Sequence, residues 1–339
     1  PGRAQADGPR PLPERLSDTG LWADPAARRV GPENLSYSPQ YPLWTDGAAK
    51  RRYIRLPPGA FIDASNPDAW VFPVGTKLWK EFSFAGRPAE TRYIELGPDG
   101  RWLYAAYVWN EAGTDARLAP ERGLRGVAEI RPGVRHDVPG RADCLACHEG
   151  RPTPVLGFGA LQLSPDRDPL APHAEPPGEL DLRVLVERGL VRRLPARLLA
   201  RPPRVAAATP AGRAALGYLH GNCAMCHNAS GPLSDLGLDL EQRVAAPSAE
   251  LQAALRQPTR LFHVPGVGAG QSLRLAPGSP EHSAIVVRLG SRSPSAQMPP
   301  LGTRIVDDEA VRLVSRWISG EPGRPDPELA RMSSKEERP

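Results

Sequence analysis

The run Thr209-Pro-Ala-Gly-Arg-Ala-Ala-Leu-Gly-Tyr-Leu-His-Gly-Asn-Cys-Ala-Met-Cys-His227 joins a helix signal to a chemical one. Thr209 is a good N-cap, and Pro210 suits the first helical position, where a missing N–H costs nothing. The sequence therefore predicts a helix through Ala211–Leu219 that delivers the chain to Cys223. Upstream, a second Cys-x-x-Cys-His cluster stands at Cys144-Leu-Ala-Cys-His148, and the two clusters hold all four cysteines of the chain. That leaves no sulfur for a disulfide scaffold, which would be shorter and richer in Cys.

Downstream, Asp307 is placed to cap a helix over Asp308–Ser319. Its residues Ala310, Val311, Leu313, Val314, Trp317 and Ile318 recur at helical spacing, and Gly320 is a stop signal. Residues 321–339 read as a charged, Pro-rich tail. Upstream of the first cluster the signals turn to β. Strands are expected at Arg52–Leu56, Lys77–Phe84, Thr91–Leu96 and Arg101–Trp109, the last two joined by a hairpin loop at Gly97-Pro-Asp-Gly100. Residues 1–40 read as an irregular arm anchored by Leu21 and Trp22. Residues 164–210 read as a Pro-rich connector holding one helical stretch, Leu180–Arg193. Six of the seven tryptophans precede residue 110; a packed aromatic core is the plainer account of them, an aromatic ligand cleft the other.

The expected fold is thus α+β multidomain. A β-rich N-terminal domain (1–140) leads to a segment and connector around the first cluster (141–204), then an α-helical domain (205–320), then the tail. A length of 339 residues agrees with about two domains. The 41 prolines are about 12% of the chain, against roughly 5% in average usage. Such a chain is folded but rich in loops. The net charge of +5 is carried mostly by Arg, with Lys only at 50, 77, 80 and 335, and the cations are scattered among acids. A nucleic-acid binder would gather them in a stripe; a solvated surface explains them more simply than a docking face for an acidic partner. No apolar run approaches the ~18–20 residues of a membrane span. The chain starts at Pro1 rather than Met, consistent with a leader removed on export.

In Cys-x-x-Cys-His, two thiols can add across the vinyl groups of a haem while the adjacent His takes the iron. A zinc knuckle would not need His directly after each second Cys. A thioredoxin-like redox pair occurs once, in a βαβ setting that is missing here, and two disulfides leave both histidines unexplained. The reading is covalent attachment of two haems, through Cys144 and Cys147 with His148 proximal, and through Cys223 and Cys226 with His227 proximal. A low-spin haem needs a sixth ligand, usually Met or His. Met225 lies inside its own attachment loop and Met332 in the tail, which leaves Met298, in Gln297-Met-Pro-Pro-Leu-Gly302, for haem 2; core packing is the plainer alternative for a lone Met. No methionine remains for haem 1. Its candidates are His136, eight residues upstream, and His173, in the Pro-rich connector; His220, His263 and His282 are the other spare histidines, and a vacant distal position is the alternative to all of them.

With these residues on view, 209–320 resembles a class I cytochrome c domain. Over roughly 40–320 the chain also resembles a family of exported bacterial dihaem c-type cytochromes with an N-terminal β domain. Tyr41-Pro-Leu-Trp-Thr-Asp-Gly47, Phe72-Pro-Val-Gly-Thr76, Glu90-Thr-Arg92, Tyr107-Val-Trp-Asn110 and Val138-Pro-Gly-Arg-Ala-Asp-Cys144 carry that resemblance. The class I likeness implies terminal helices packed together beside a haem. The expected function is electron transfer between redox partner proteins in the periplasm or outside the cell, without nucleic acid and without a transmembrane segment. A dihaem peroxidase or oxygenase with haem 1 open is the alternative, and a substrate-binding β module with a cytochrome tail is a third.

Overall fold

The computed structural model describes residues 11–245, 255–268 and 270–320. Its centre is a six-stranded antiparallel sheet: β1 (Leu35–Ser36), β2 (Ala49–Arg55), β3 (Lys77–Phe84), β4 (Arg87–Leu96), β5 (Trp102–Trp109) and β6 (Ala116–Leu118). The strands pair in chain order, so short hairpins make every connection after β2 and β3 are joined. Ala85 and Gly86, with φ of 47° and 77°, give the β3–β4 turn the left-handed pair that matches strand twist.

Alternation along the strands divides the core. Trp79, Tyr93, Ala105, Tyr107 and Trp109 point to one face, where Leu16, Leu21 and Trp22 of the N-terminal segment cover them. Trp79 Nε1 donates to Thr19 Oγ1 at 2.9 Å across that contact. Ile54 and Leu78 point to the other face and pack with Trp70, Phe72, Phe158, Leu163, Leu180 and Leu182. A separate hairpin, β7 (Leu124–Arg131) and β8 (Val134–Val138), leads into α1 (Arg141–His148), beyond the strands expected from the sequence.

The other helices whose bounds are described are α2 (Leu182–Glu187), α3 (Arg197–Ala200), α4 (Pro210–Asn222), α5 (Ala284–Leu289) and α6 (Asp308–Ser319). Thr209 Oγ1 accepts from Gly212 N at 3.0 Å, and Asp307 Oδ1 accepts from Ala310 N at 3.1 Å, so both N-caps form as expected. The helix expected over Leu180–Arg193 is only α2. Asp181 caps it, and the chain then turns at Gly189 (φ 69°) so that Val191–Arg192 can pair with Ile62–Asp63.

The expected α+β multidomain fold, with an α-helical class I cytochrome c domain over 205–320, needs correction. Among the described residues the fold is sheet-dominated, 20% helix and 22% strand with six short helices, and no helical cytochrome c domain is evident. The α4 and α6 helices run 13 and 12 residues, and α5 between them only 6. Prolines and glycines interrupt the described parts of the intervening chain, where they disfavour a longer helix. The apolar cluster around α4 and α6 also takes Tyr41, Leu161 and Ala171 from outside the segment, so the core is shared.

The segment Tyr41–Gly47 fastens the two halves together. Tyr41 packs against Gly217 and Gly221 of α4. Its hydroxyl donates to Asp168 Oδ2 at 3.0 Å, and its N–H donates to Gln162 Oε1 at 3.0 Å. Trp44 N donates to Asn222 Oδ1 at 2.7 Å, at the end of α4. Asp46 Oδ1 accepts from the N–H groups of Arg304 and Ile305 at 2.7 and 2.9 Å. The β sheet thereby fixes where α4 delivers Cys223.

Candidate functional site

A cavity of about 420 Å³ opens between the sheet, α1, the end of α4 and the Met298 loop, within the roughly 300–1,000 Å³ of cofactor and ligand sites. Cys147, His148, Cys223, Cys226, His227 and Met298 all lie on its wall, together with Leu78, Ile94, Phe158 and Leu240. Residues of both sequence clusters, 75 residues apart between His148 and Cys223, thus face one space, with Cys144 outside its lining.

The first cluster rides on α1. Asp143 Oδ2 accepts from Gly140 N at 2.9 Å, the reciprocal half of a capping box, and Arg141 N donates to Glu121 O at 2.8 Å. Gly140 is glycine because a Cβ there would stand 2.8 Å from the Glu121 carbonyl. The second cluster follows α4, whose last turn continues as Cys223 N donates to Leu219 O at 2.8 Å. The clusters touch. The Cys147 and Cys226 thiols act on each other, which raises the Cys147 pKa and lowers that of Cys226. Cys226 Sγ also lies 3.8 Å from Ala146 O. Behind them, a Cβ on Gly150 would meet Met225 O at 3.0 Å, so the two backbones are close as well. Burial pushes the Cys223 thiol up to about 12.

His148 Nδ1 lies 2.6 Å from Pro154 O. A carbonyl can only accept, so Nδ1 carries the proton and Nε2 keeps its lone pair. Burial holds this imidazole down to about 4, against the Pro154 bond, with Arg92 and Lys80 adding to the shift; the ring is a neutral donor at ordinary pH. Tyr104 packs on it at a ring separation of 5.1 Å. His227 is lowered by burial and by Arg288 and Arg274, and its buried Nδ1 has no protein partner. The Met298 loop is pinned to α5: Met298 N donates to Arg288 O at 3.0 Å, and Arg288 Nε donates to Ala296 O at 2.9 Å. The Met298–Pro299 peptide is cis.

The wall is also rich in unused polar atoms. Trp44 Nε1, Trp70 Nε1, Arg52 Nη2, Arg151 Nε, Thr153 Oγ1 and Thr303 Oγ1 are buried without a protein partner, and each belongs to a cavity residue. Buried donors of this kind cost about 1–3 kcal/mol each when unpaired. An apolar cavity with thiols from both clusters, three imidazoles, a thioether and spare N–H and O–H donors suits a large cofactor bearing acidic groups. Among the described residues, no three or more of His, Cys, Asp and Glu are grouped to hold a metal ion by themselves, so the four thiols do not form a Cys₄ site.

The other predicted residues lie elsewhere. His136 is buried on β8, its Nε2 2.9 Å from Glu90 Oε2, with Phe82 and Phe84 beside the ring. His173 Nε2 lies 2.9 Å from Asp307 Oδ1 and its Nδ1 3.4 Å from Glu309, with Trp44 on its face. Neither lines the cavity, and both are bound to acids, so the structure does not bring them to the first cluster. His282 is exposed beside Glu281. His220 does line the cavity, its Nδ1 accepting from Gln242 N at 3.1 Å, and burial lowers it to about 3. No family model, curated protein or solved structure matches the chain. No helix among the described residues is long and apolar enough to cross a membrane.

Proposed function

We propose that the protein is a dihaem c-type cytochrome that passes electrons between redox partner proteins outside the cytoplasm. The observation that carries this reading is the meeting of Cys147 and His148 with Cys223, Cys226 and His227 at one cavity, with Cys226 Sγ 3.8 Å from Ala146 O. Cys144 and Cys147 would hold one haem and Cys223 and Cys226 the other, with His148 and His227 as proximal ligands and Met298 as the distal ligand of the second. Bound haem supplies a reversible one-electron iron couple. The chain's own groups prepare the site for it: Pro154 O orients His148, Arg288 O holds Met298, and aromatic and aliphatic residues line the walls. Thioether ligation favours Fe(II), so the second centre would have the higher potential. Covalent attachment of this kind belongs to the oxidising, exported compartment.

Haem quantitation of the exported protein should find two covalently bound haems per chain, and Cys144→Ser with Cys147→Ser should halve that. A chain purified without covalent haem would end the proposal. Met298→Ala should remove the weak Met-to-iron charge-transfer band and lower one potential; persistence of the band would show that another residue is the ligand. A second reading, a peroxidase or oxygenase with an open position beside His148, is favoured by one observation, the acid-bound state of His136 and His173. Cyanide binding to the oxidised protein at one haem would support it, and two unreactive low-spin haems would exclude it.

A further inference from the structure

Two charged side chains outside the proposed ligand set tie the two clusters together. Arg151 stands three residues after His148 and forms an ion pair with Glu241. Both side chains are largely withdrawn from water, 13% and 9% exposed. Glu241 is in turn fixed to the second cluster. Its neighbour Leu240 donates its N–H to His227 O at 2.9 Å, and Glu241 N donates to Asp239 Oδ1 at 2.9 Å. Arg243 Nη2 donates to the other carboxylate oxygen, Glu241 Oε2, at 2.7 Å. The pair therefore joins the chain leaving one proximal histidine to the chain leaving the other. Desolvation offsets most of the attraction within such a pair, so what it contributes here is position.

Beside this strut the two backbones close to contact. Cys226 Sγ lies 3.8 Å from Ala146 O. A Cβ on Gly150 would stand 3.0 Å from Met225 O and 3.2 Å from Pro232 Cδ, so a side chain at 150 would press the loops apart. Cys147 and Cys226 both face the cavity between them. In Cys-x-x-Cys-His attachment each sulfur bonds to a carbon of a former vinyl group. The sulfurs therefore mark the vinyl edges of the two haems, and here those sulfurs belong to touching loops.

We propose that Arg151 and Glu241 are positioning residues that clamp the attachment loops together, so that the vinyl edges of the two haems meet at Cys147 and Cys226 and electrons cross between the centres there. One electron passes from the ferrous to the ferric centre; no bond forms or breaks, and no further reactant is needed. The proposal rests on the dihaem reading, and the test separates the two. In holoprotein with two haems, reduced under carbon monoxide so that both irons are diamagnetic, NOEs should join the thioether methyl beside Cys226 to Ala146 and to the thioether methyl beside Cys147. Arg151→Met keeps the apolar stem and leaves Glu241 its Arg243 partner, so it folds; Glu241→Gln keeps the side-chain volume. After substoichiometric pulse reduction, electron exchange between the haems should be about 10- to 100-fold slower in each variant. Both reduction potentials should stay near wild type, and Arg151→Lys should recover most of the rate. If the NOEs run from other haem edges or are missing, the edge contact is refuted while the dihaem reading stands. If exchange keeps its rate in both variants, or a potential moves while the rate does not, the pair is no strut and the proposal falls. Absence of covalent haem from the wild type would instead refute the parent reading.

Discussion

Gly217 sits mid-helix in α4, where glycine is a poor helix former, so Gly217→Ala should gain about 0.8–1 kcal/mol from propensity alone. The structure predicts the opposite sign. A Cβ there would lie 2.1, 2.3 and 2.4 Å from Cε1, Cζ and Cδ1 of Tyr41, whereas carbon atoms pack at about 3.5–4.0 Å. The ring would have to retreat by more than about 1 Å. It cannot do so freely: Tyr41 is 2% exposed, its hydroxyl is on Asp168, and its backbone is tied to Gln162. Overpacking costs about 1–3 kcal/mol, and loss of a hydrogen bond to a charged acceptor about 1.5–3 kcal/mol. Set against the propensity gain, the net loss is about 1.5–5 kcal/mol, a fall in Tm of roughly 2–7 °C for a chain of 339 residues. Calorimetry of the holoprotein measures it. Tyr41→Ala removes the obstacle, so in that background Gly217→Ala should be neutral or should stabilise by up to about 1 kcal/mol. If the substitution raises Tm in the wild type, or has the same effect in both backgrounds, the close packing of Tyr41 on α4 is refuted.

Two further perturbations address the buried charges. Glu90→Gln leaves Arg92 and His136 without their carboxylate, which should cost about 3–5 kcal/mol by thermal unfolding. Burial alone would raise the Glu90 pKa, but Arg92 and His136 outweigh it and hold it below the ordinary value. A lowered carboxyl pKa means the unfolded chain binds more protons, so this contribution is complete above about pH 4.5 and is lost as pH falls through the folded pKa. The variant's Tm should therefore fall less steeply below pH 4.5; equal acid slopes would contradict the assignment. Asp307→Ala removes the α6 cap and the partner of His173, and should cost about 1–2 kcal/mol; an unchanged Tm would count against both contacts.

What the sequence makes legible are the features set by local chemistry. Lys77–Phe84 alternates apolar residues on a β period and forms β3 with those bounds. Thr209 and Asp307 announce their helices through side-chain oxygens three residues from the N–H they accept. The overextended helix at Leu180–Arg193 failed because Leu190 and Val191 fit a helical stripe equally well as a parallel bridge, and only the pairing with Ile62 decides between them. The helical domain failed for a related reason: α4 and α6 are real, but the apolar surface they bury is supplied partly by Tyr41 and Leu161, which no local pattern could assign. Of the candidate site, cluster spacing revealed the thiols and imidazoles. The approach of Cys226 to Ala146 is not written locally, and His136 looked available because its partner, Glu90, is 46 residues away in sequence. A row of cations on the cavity wall, Arg52, Lys80 and Arg92, could have been found once strand register was known, since each occupies the cavity-facing parity of its strand.

The two halves of the cavity carry different electrostatic devices, and on the proposed reading this makes the driving force between centres adjustable from either side. Arg288 both holds Met298 N and acts on His227, so the thioether belongs with the second cluster. Lys80 and Arg92, opposite each other on β3 and β4 and both on the cavity wall, act on His148, so this cation row lies with the first. A thioether ligand favours the reduced iron, and nearby cations do the same by opposing the extra positive charge of the oxidised one. Both devices therefore raise their own centre's potential, and removing either should change the gap between centres in opposite directions. Met298→Ala should narrow it from above, and Lys80→Met should widen it from below. Combined, they should lower both potentials and restore most of the original gap. Spectroelectrochemical titration of the three variants measures this directly. If both substitutions shift the same centre, the thioether and the cation row serve one haem, and the division of the cavity between the two clusters is wrong.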